Sequence, residues 1–190
     1  TYDRKDVARR DLVEETQHPR HADWDYGFLA SLGIAVAREG IPWPMVDRGQ
    51  GSYDFSYIDP FIAAMNRHRV LPIWDLCHYG YPSDCDPRRP DFADRFEAYA
   101  RACAEYVIPR VRGPHFFTPI NEITFFGFMP GEWAWAAPFT RTKAENYALR
   151  DACCAAGIRA VNAIRQIDPE ARMIHIDPLV YVAAPNGPPG

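Results

Sequence analysis

Short apolar runs that end in polar residues alternate with amphipathic stretches along most of this chain. Around Asp23 to Leu32, the residues Trp24, Phe28, Leu29 and Leu32 fall at i, i+4, i+5 and i+8, the stripe of a helix, and Gly33 supplies a stop. Ile34-Ala35-Val36-Ala37 follows as a short buried strand ending at Arg38. Asp59-Pro60 predicts an N-cap and a first helical residue, leading into Phe61-Ile62-Ala63-Ala64-Met65. Val70-Leu71-Pro72-Ile73-Trp74 is the second predicted strand, ending near Asp75 to His78. Pro72 argues against a central position for it, because proline donates nothing to a ladder. Asp91 with Asp94 has the spacing of a capping box, and the helix behind it is expected to bury Phe92, Phe96, Tyr99, Cys103 and Tyr106. Phe116 to Glu122 is the third predicted strand. Thr142 with Glu145 is a better capping box. It opens a long helix with Leu149, Cys153, Ala156, Ala160 and Ile164 on one face, ended by Asp168-Pro169. Met173-Ile174-His175-Ile176-Asp177 is the last predicted strand, and the tail from Pro185 to Gly190 reads as loop.

Strands alternating with helices predict parallel βα units. A closed (β/α)8 barrel typically takes about 250 residues, and this chain has 190. The expected fold is therefore α/β: a parallel barrel of TIM type, of which residues 1–190 form a single partial catalytic domain with four to five βα units. A smaller open α/β sheet is the alternative. No Gly-rich phosphate loop follows any strand, which argues against a nucleotide-binding sheet.

Composition narrows the class of function. With 47% apolar residues, disorder is excluded. The net charge is −4 and no Lys/Arg block occurs, so neither nucleic acid nor an anionic membrane is an expected partner. The five cysteines are odd in number, include the adjacent pair Cys153 and Cys154, and fit no zinc spacing. Free, mostly buried thiols in a reducing compartment are expected. No apolar stretch approaches the roughly 20 residues of a membrane span, and no signal peptide is visible, so cytoplasmic location is the default. The chain starts at Thr1 rather than methionine.

Every predicted strand ends in polar residues: Arg38 and Glu39, Asp75 and His78, Asn121 and Glu122, His175 and Asp177. In a parallel sheet those ends converge on one rim, where such folds place their chemistry. Arg38 is either a cap on the sheet edge paired with Glu39, or a fixed cation that keeps a catalytic carboxylate ionised. His78 is either structural or a neutral imidazole that donates a hydrogen bond to a sugar hydroxyl. Asn121-Glu122 is either a polar turn or an amide that holds a hydroxyl beside a proton donor. A second carboxyl, which glycoside hydrolysis normally needs, is not evident. Trp133 and Trp135, in a loop after this strand, either pack on a neighbouring loop or stack on sugar faces, and Trp43 has the same two readings. A metal site would need Asp75, His78 and a third ligand from His175 or Asp177, so neither metal nor cofactor is expected.

These segments resemble a known family. Leu32-Gly33-Ile34-Ala35-Val36-Ala37-Arg38 with Trp43 five residues on resembles the second-strand region of glycoside hydrolase family 1, the β-glucosidase family of clan A. Leu76-Cys77-His78-Tyr79-Gly80-Tyr81-Pro82 resembles its third-strand Leu-x-His-Trp-Asp-x-Pro pattern, and Thr118-Pro119-Ile120-Asn121-Glu122 its fourth-strand Thr-x-Asn-Glu-Pro. The resemblance runs from about Asp23 to Asp177 and makes the chain the second to fifth βα units of such a barrel. It implies a glycosidase that hydrolyses β-O-glycosidic bonds with retention and no cofactor. Glu122 is the implied acid/base, Asn121 the amide at the sugar 2-hydroxyl, His78 a ligand of a hydroxyl on the same sugar, and Arg38 the arginine beside the nucleophile. Ile123, Tyr79 and the pair Glu39-Gly40 depart from the family's pattern. The family's first strand has no match in Thr1 to Arg20, and its nucleophile lies on a seventh strand beyond the units found here. This chain is thus expected to lack half of the catalytic pair, to bind a carbohydrate or glycoside, and to self-associate through exposed strand edges if the barrel is incomplete. A non-catalytic sugar-binding or regulatory module is the alternative from another class, and a metal-dependent hydrolase using Asp75, His78 and His175 is a third.

Overall fold

A computed structural model describes residues 12–179, and the loop expected at Pro185 to Gly190 lies outside them. Helices α1 (Leu12–Thr16) and α2 (His18–Ser31) lead into strand β1 (Val36–Gly40). A short helix α3 (Trp43–Val46) and an antiparallel hairpin of β2 (Asp47–Gly49) and β3 (Ser52–Tyr53) follow. Next come α4 (Asp59–His68), β4 (Leu71–Asp75), α5 (Phe92–Val107), β5 (Phe116–Thr118), α6 (Ile123–Gly127) with a π-helical turn Phe128–Glu132, α7 (Lys143–Ile167) and β6 (Arg172–Met173). Strands β1, β4, β5 and β6 form a parallel sheet in that order, as expected of successive βα units.

Register sorts the side chains into two faces, because paired residues point the same way. Glu39, Trp74, Phe117 and Met173 form one row, and Arg38, Ile73, Phe116 and Arg172 form the next row on the opposite face. The first row meets the helices: Trp74 and Phe117 are wholly buried, and Glu39 accepts a hydrogen bond from Tyr26 of α2 at 2.6 Å. Arg38 and Glu39 therefore point apart, which removes the pairing between them allowed by the sequence.

Pro72 sits in a central strand, against the expectation from its missing N–H. Backbone donors alternate sides along β4: Leu71 donates to Ala35 of the β1 side, and Leu76 to Thr118 of the β5 side. Pro72 faces β5 one step before the β5 ladder begins at the Ile73–Phe116 pair, so no ladder bond is lost.

Several boundaries move. β1 begins at Val36 rather than Ile34, because its partner strand among the described residues begins at Leu71. β5 stops at Thr118, where Pro119 ends the ladder, and the regular part of β6 is correspondingly short. Ile174 still donates to Phe117, and Ile176 accepts from the Glu122 N–H at 3.0 Å, so the predicted last strand keeps its place without full ladder geometry.

The long helices follow their sequence periodicity. In α7, Leu149, Cys153, Ala156, Ala160 and Ile164 are all fully buried, and the Thr142 hydroxyl caps the helix by accepting from the Glu145 N–H at 3.2 Å. In α5, Phe92, Phe96, Tyr99 and Cys103 are buried and Tyr106 partly so. The Asp91–Asp94 box is not formed: Asp91 pairs with Arg89, and Asp94 with Arg159 of α7. In α2 the predicted stripe divides: Trp24, Phe28 and Leu32 are exposed by 69%, 51% and 60%, while Leu29 packs against the core. Ala22 and Tyr26 also face inward, with the Tyr26 hydroxyl on Glu39. All five cysteines are free thiols, with Cys154 alone exposed.

Candidate active site

The carboxyl ends of β1, β4 and β5 bring together residues that lie up to 83 positions apart in sequence. Arg38 reaches across from β1. One guanidinium nitrogen, Nη2, donates to Asp75 Oδ2 at 2.5 Å and also to Asn121 Oδ1, and lies 3.2 Å from His78 Nδ1. His78 Nδ1 stands 2.7 Å from the same Asp75 oxygen. Arg38, His78 and Asn121 thus form one cluster around the buried Asp75 carboxylate. A carboxylate with a charged donor on it is held more firmly than one in a neutral pair.

Glu122 joins that cluster through Tyr79, whose hydroxyl donates to Glu122 Oε2. The Tyr79 ring contacts His78 edge-on at 4.9 Å. Burial first, then the hydrogen bond to Glu122 and its negative charge, pushes the Tyr79 hydroxyl well above the ordinary tyrosine value; the Asn121 amide and the Arg38 charge oppose this. Both ends of this contact have left-handed backbones, with φ of 64° at Tyr79 and 48° at Glu122. Such conformations are uncommon outside glycine and cost about 1–3 kcal/mol each when the surroundings impose them. Here the surroundings are backbone bonds: Glu122 N–H to Ile176, Phe126 N–H to the Glu122 carbonyl, and Asn121 N–H to the Cys77 carbonyl. The twist at 122 turns the carboxylate out of the strand direction and toward Tyr79.

An aromatic series leads outward from Tyr79. Phe125 lies 5.6 Å from it, Trp133 lies 6.3 Å from Phe125, and Trp135 lies 4.7 Å from Trp133. Trp133 and Trp135 follow the π-helical turn and are exposed. Trp43 is a correction. It is 1% exposed, stacks on Tyr99 at 5.3 Å, and its indole N–H donates to Asp47 at 3.0 Å. Its polar atom is satisfied within the core and no sugar can reach its face. His175 is exposed beside an apolar groove against α7, lined by Ile120, Cys154 and Ile158, and does not join Asp75 and His78. Among the described residues no cluster has the makings of a metal site. Asp177 instead accepts from the Thr124 hydroxyl at the start of α6.

Two residues of this cluster were not singled out by sequence as part of a sugar site. Asp75 carries the mark of the others, a polar residue ending an apolar run. Tyr79 gives no such mark, since its role depends on a left-handed backbone that its sequence does not announce.

An open parallel sheet, helices against one face and polar side chains gathered at its carboxyl rim, is a portion of a barrel of the (β/α)8 type. No family model matches the sequence, and no curated protein matches it either. Solved structures do match the fold. The family 1 β-glucosidase from Thermotoga maritima superposes with a TM-score of 0.76 at 20% identity, over 84% of this chain and 37% of that one. The AHE enzyme from Alicyclobacillus herbarius gives 0.74 at 20% identity, over 82% of this chain and 36% of that one. The chain thus has a partial family 1 glucosidase-like fold and spans a little over a third of the length of these structures. At such identity the likeness speaks for the fold.

Proposed function

We propose that residues 1–190 form one partial barrel domain that carries the acid/base half of a retaining β-glycosidase site. Glu122 is the proton donor to the leaving oxygen and then the base that activates water. The attacking carboxylate belongs to a part of the barrel outside these residues. Asn121 and His78 hold hydroxyls of the sugar in the cleaved position, Arg38 supplies a fixed positive charge, and Trp133 and Trp135 offer flat faces to the leaving portion. The observation that carries this reading is the meeting of Arg38, His78 and Asn121 from three separate strands, with Glu122 attached through Tyr79.

The test uses aryl β-glucosides of graded leaving-group ability, with protein from the complete reading frame and with the 190 residues alone. Glu122→Gln in the complete protein is expected to lower turnover by roughly 10²–10⁴-fold for a poor leaving group. The loss should be much smaller for a dinitrophenyl leaving group, which needs no proton. Equal losses for both would remove Glu122 from the proton-donor role. The 190 residues alone are expected to show little or no turnover.

One observation favours a second reading, a sugar-binding module without turnover. The Arg38 guanidinium is engaged by Asp75, a carboxylate of this chain. The Thermotoga maritima β-glucosidase is recorded in complex with glucoimidazole and with castanospermine. Those compounds are suitable probes: binding that survives Glu122→Gln, with no hydrolysis of any aryl glucoside by the unmodified complete protein, would favour the module.

A further inference from the structure

We propose that Asp75 is a positioning residue that fixes the tautomer of His78, so that the imidazole offers a bare Nε2 and accepts a hydrogen bond from a sugar hydroxyl rather than donating one. The acceptor role toward sugar rests on the glycoside reading above; the tautomer does not. Asp75 is 2% exposed, and its buried Oδ1 has no hydrogen-bond partner, so Oδ2 carries its polar contacts. That oxygen faces Arg38 Nη2 at 2.5 Å and His78 Nδ1 at 2.7 Å. An ionised carboxylate is acceptor-only, and neutral imidazole has one N–H and one lone pair. A bare Nδ1 at that distance would set lone pair against lone pair, so Nδ1 holds the proton.

The 3.2 Å separation of Arg38 Nη2 and His78 Nδ1 is then two donors sharing one acceptor. With Nδ1 committed, the ring's remaining polar atom is Nε2, on a side chain 56% exposed. The consequence is a preference in the ligand. The hydroxyl facing His78 must give up its proton direction to the ring, so replacing that hydroxyl by fluorine, which cannot donate, weakens binding. An Nε2–H donor would tolerate the fluorine far better.

Nitrogen–proton correlation spectra of the 190-residue chain, labelled at histidine and taken near pH 8, test the assignment directly. The expected pattern for His78 is a protonated Nδ1 and an unprotonated Nε2. Asp75→Asn and Asp75→Ala are each expected to move the balance toward Nε2–H by about tenfold or more, the size of a hydrogen bond to a charged group. An Nε2–H ring in the unmodified chain, a ring protonated on both nitrogens, or a pattern unchanged in a folded variant would each overturn the proposal. The unmodified spectrum decides the matter even if neither variant folds. Calorimetric titration with methyl β-glucoside and its monodeoxyfluoro analogues then tests the acceptor role, with loss of at least about tenfold expected for one analogue. Even weakening across all analogues would overturn that role. Binding of none of these sugars would remove the glycoside reading, while the tautomer stands or falls by the spectrum.

Discussion

Tyr79 and Glu122 are the pair whose chemistry depends most on a single contact. The tyrosine hydroxyl is held above its ordinary value of about 10 by burial and by Glu122. Replacing Glu122 with Gln removes the charge and leaves the burial. The Tyr79 titration, followed by carbon NMR of labelled tyrosine, is therefore expected to move back toward the ordinary value without reaching it. No movement would mean that the two side chains do not meet in solution. On the proposed glycosidase reading, Tyr79→Phe should lower turnover of the complete protein about tenfold with little change in KM, since it frees the carboxylate and leaves the proposed sugar-binding groups in place. Arg38, His78 and Asn121 were legible in sequence because each ends an apolar run, a pattern that survives without knowledge of the third dimension. Trp43 was not, because the Asp47 carboxylate that takes its indole N–H and the α5 rings of Phe92, Phe96 and Tyr99 that cover it carry no outward sign of partnership in sequence.

Helix α2 is fastened to the sheet by polar contacts as much as by apolar ones. His18 bridges Asp25 at 2.9 Å and Glu39 at 3.1 Å, and its pKa is raised, chiefly by the hydrogen bond to Glu39 against the opposing effect of burial. A folded value above the unfolded one stabilises the fold fully below about pH 6.5, and that contribution fades as pH rises through the raised value. The thermal midpoint of His18→Gln should thus fall below that of the parent at pH 5.5, with the gap narrowing by pH 8. A gap independent of pH would show that the imidazolium does not fasten this helix. The opposite case is α5, where Phe96 is wholly buried against Trp43 at 4.9 Å and Tyr99 at 5.9 Å. Phe96→Ala is expected to cost about 3–5 kcal/mol in denaturant unfolding. Periodicity revealed α5 and α7 because each buries a continuous apolar face. In α2 it marked Leu29 but missed Ala22 and Tyr26, whose hydroxyl is seated on Glu39.

As a molecule, the chain presents a sheet covered on one side. Trp24, Phe28, Leu32, Ile34 and Val36 are all exposed near the β1 edge. Among the described residues β1 and β6 are the edges of the sheet, a known hazard for pairing between chains. We expect the 190 residues to associate as concentration rises, seen by analytical ultracentrifugation, and Phe28→Lys with Val36→Lys to shift the balance toward monomer. A monomer at all concentrations would show that these surfaces are protected. The barrel type was legible from strand–helix alternation and the three motifs. The lengths of the strands were not, since each ladder extends only as far as its neighbour allows.

The strand order has a consequence for how the chain is made. Each parallel strand lies beside the one that precedes it, with only a small hairpin intervening between the first two. No strand must wait for a later one to be inserted between it and its neighbour. The sheet can therefore grow in one direction as the polypeptide leaves the ribosome, each unit docking on a surface already laid down.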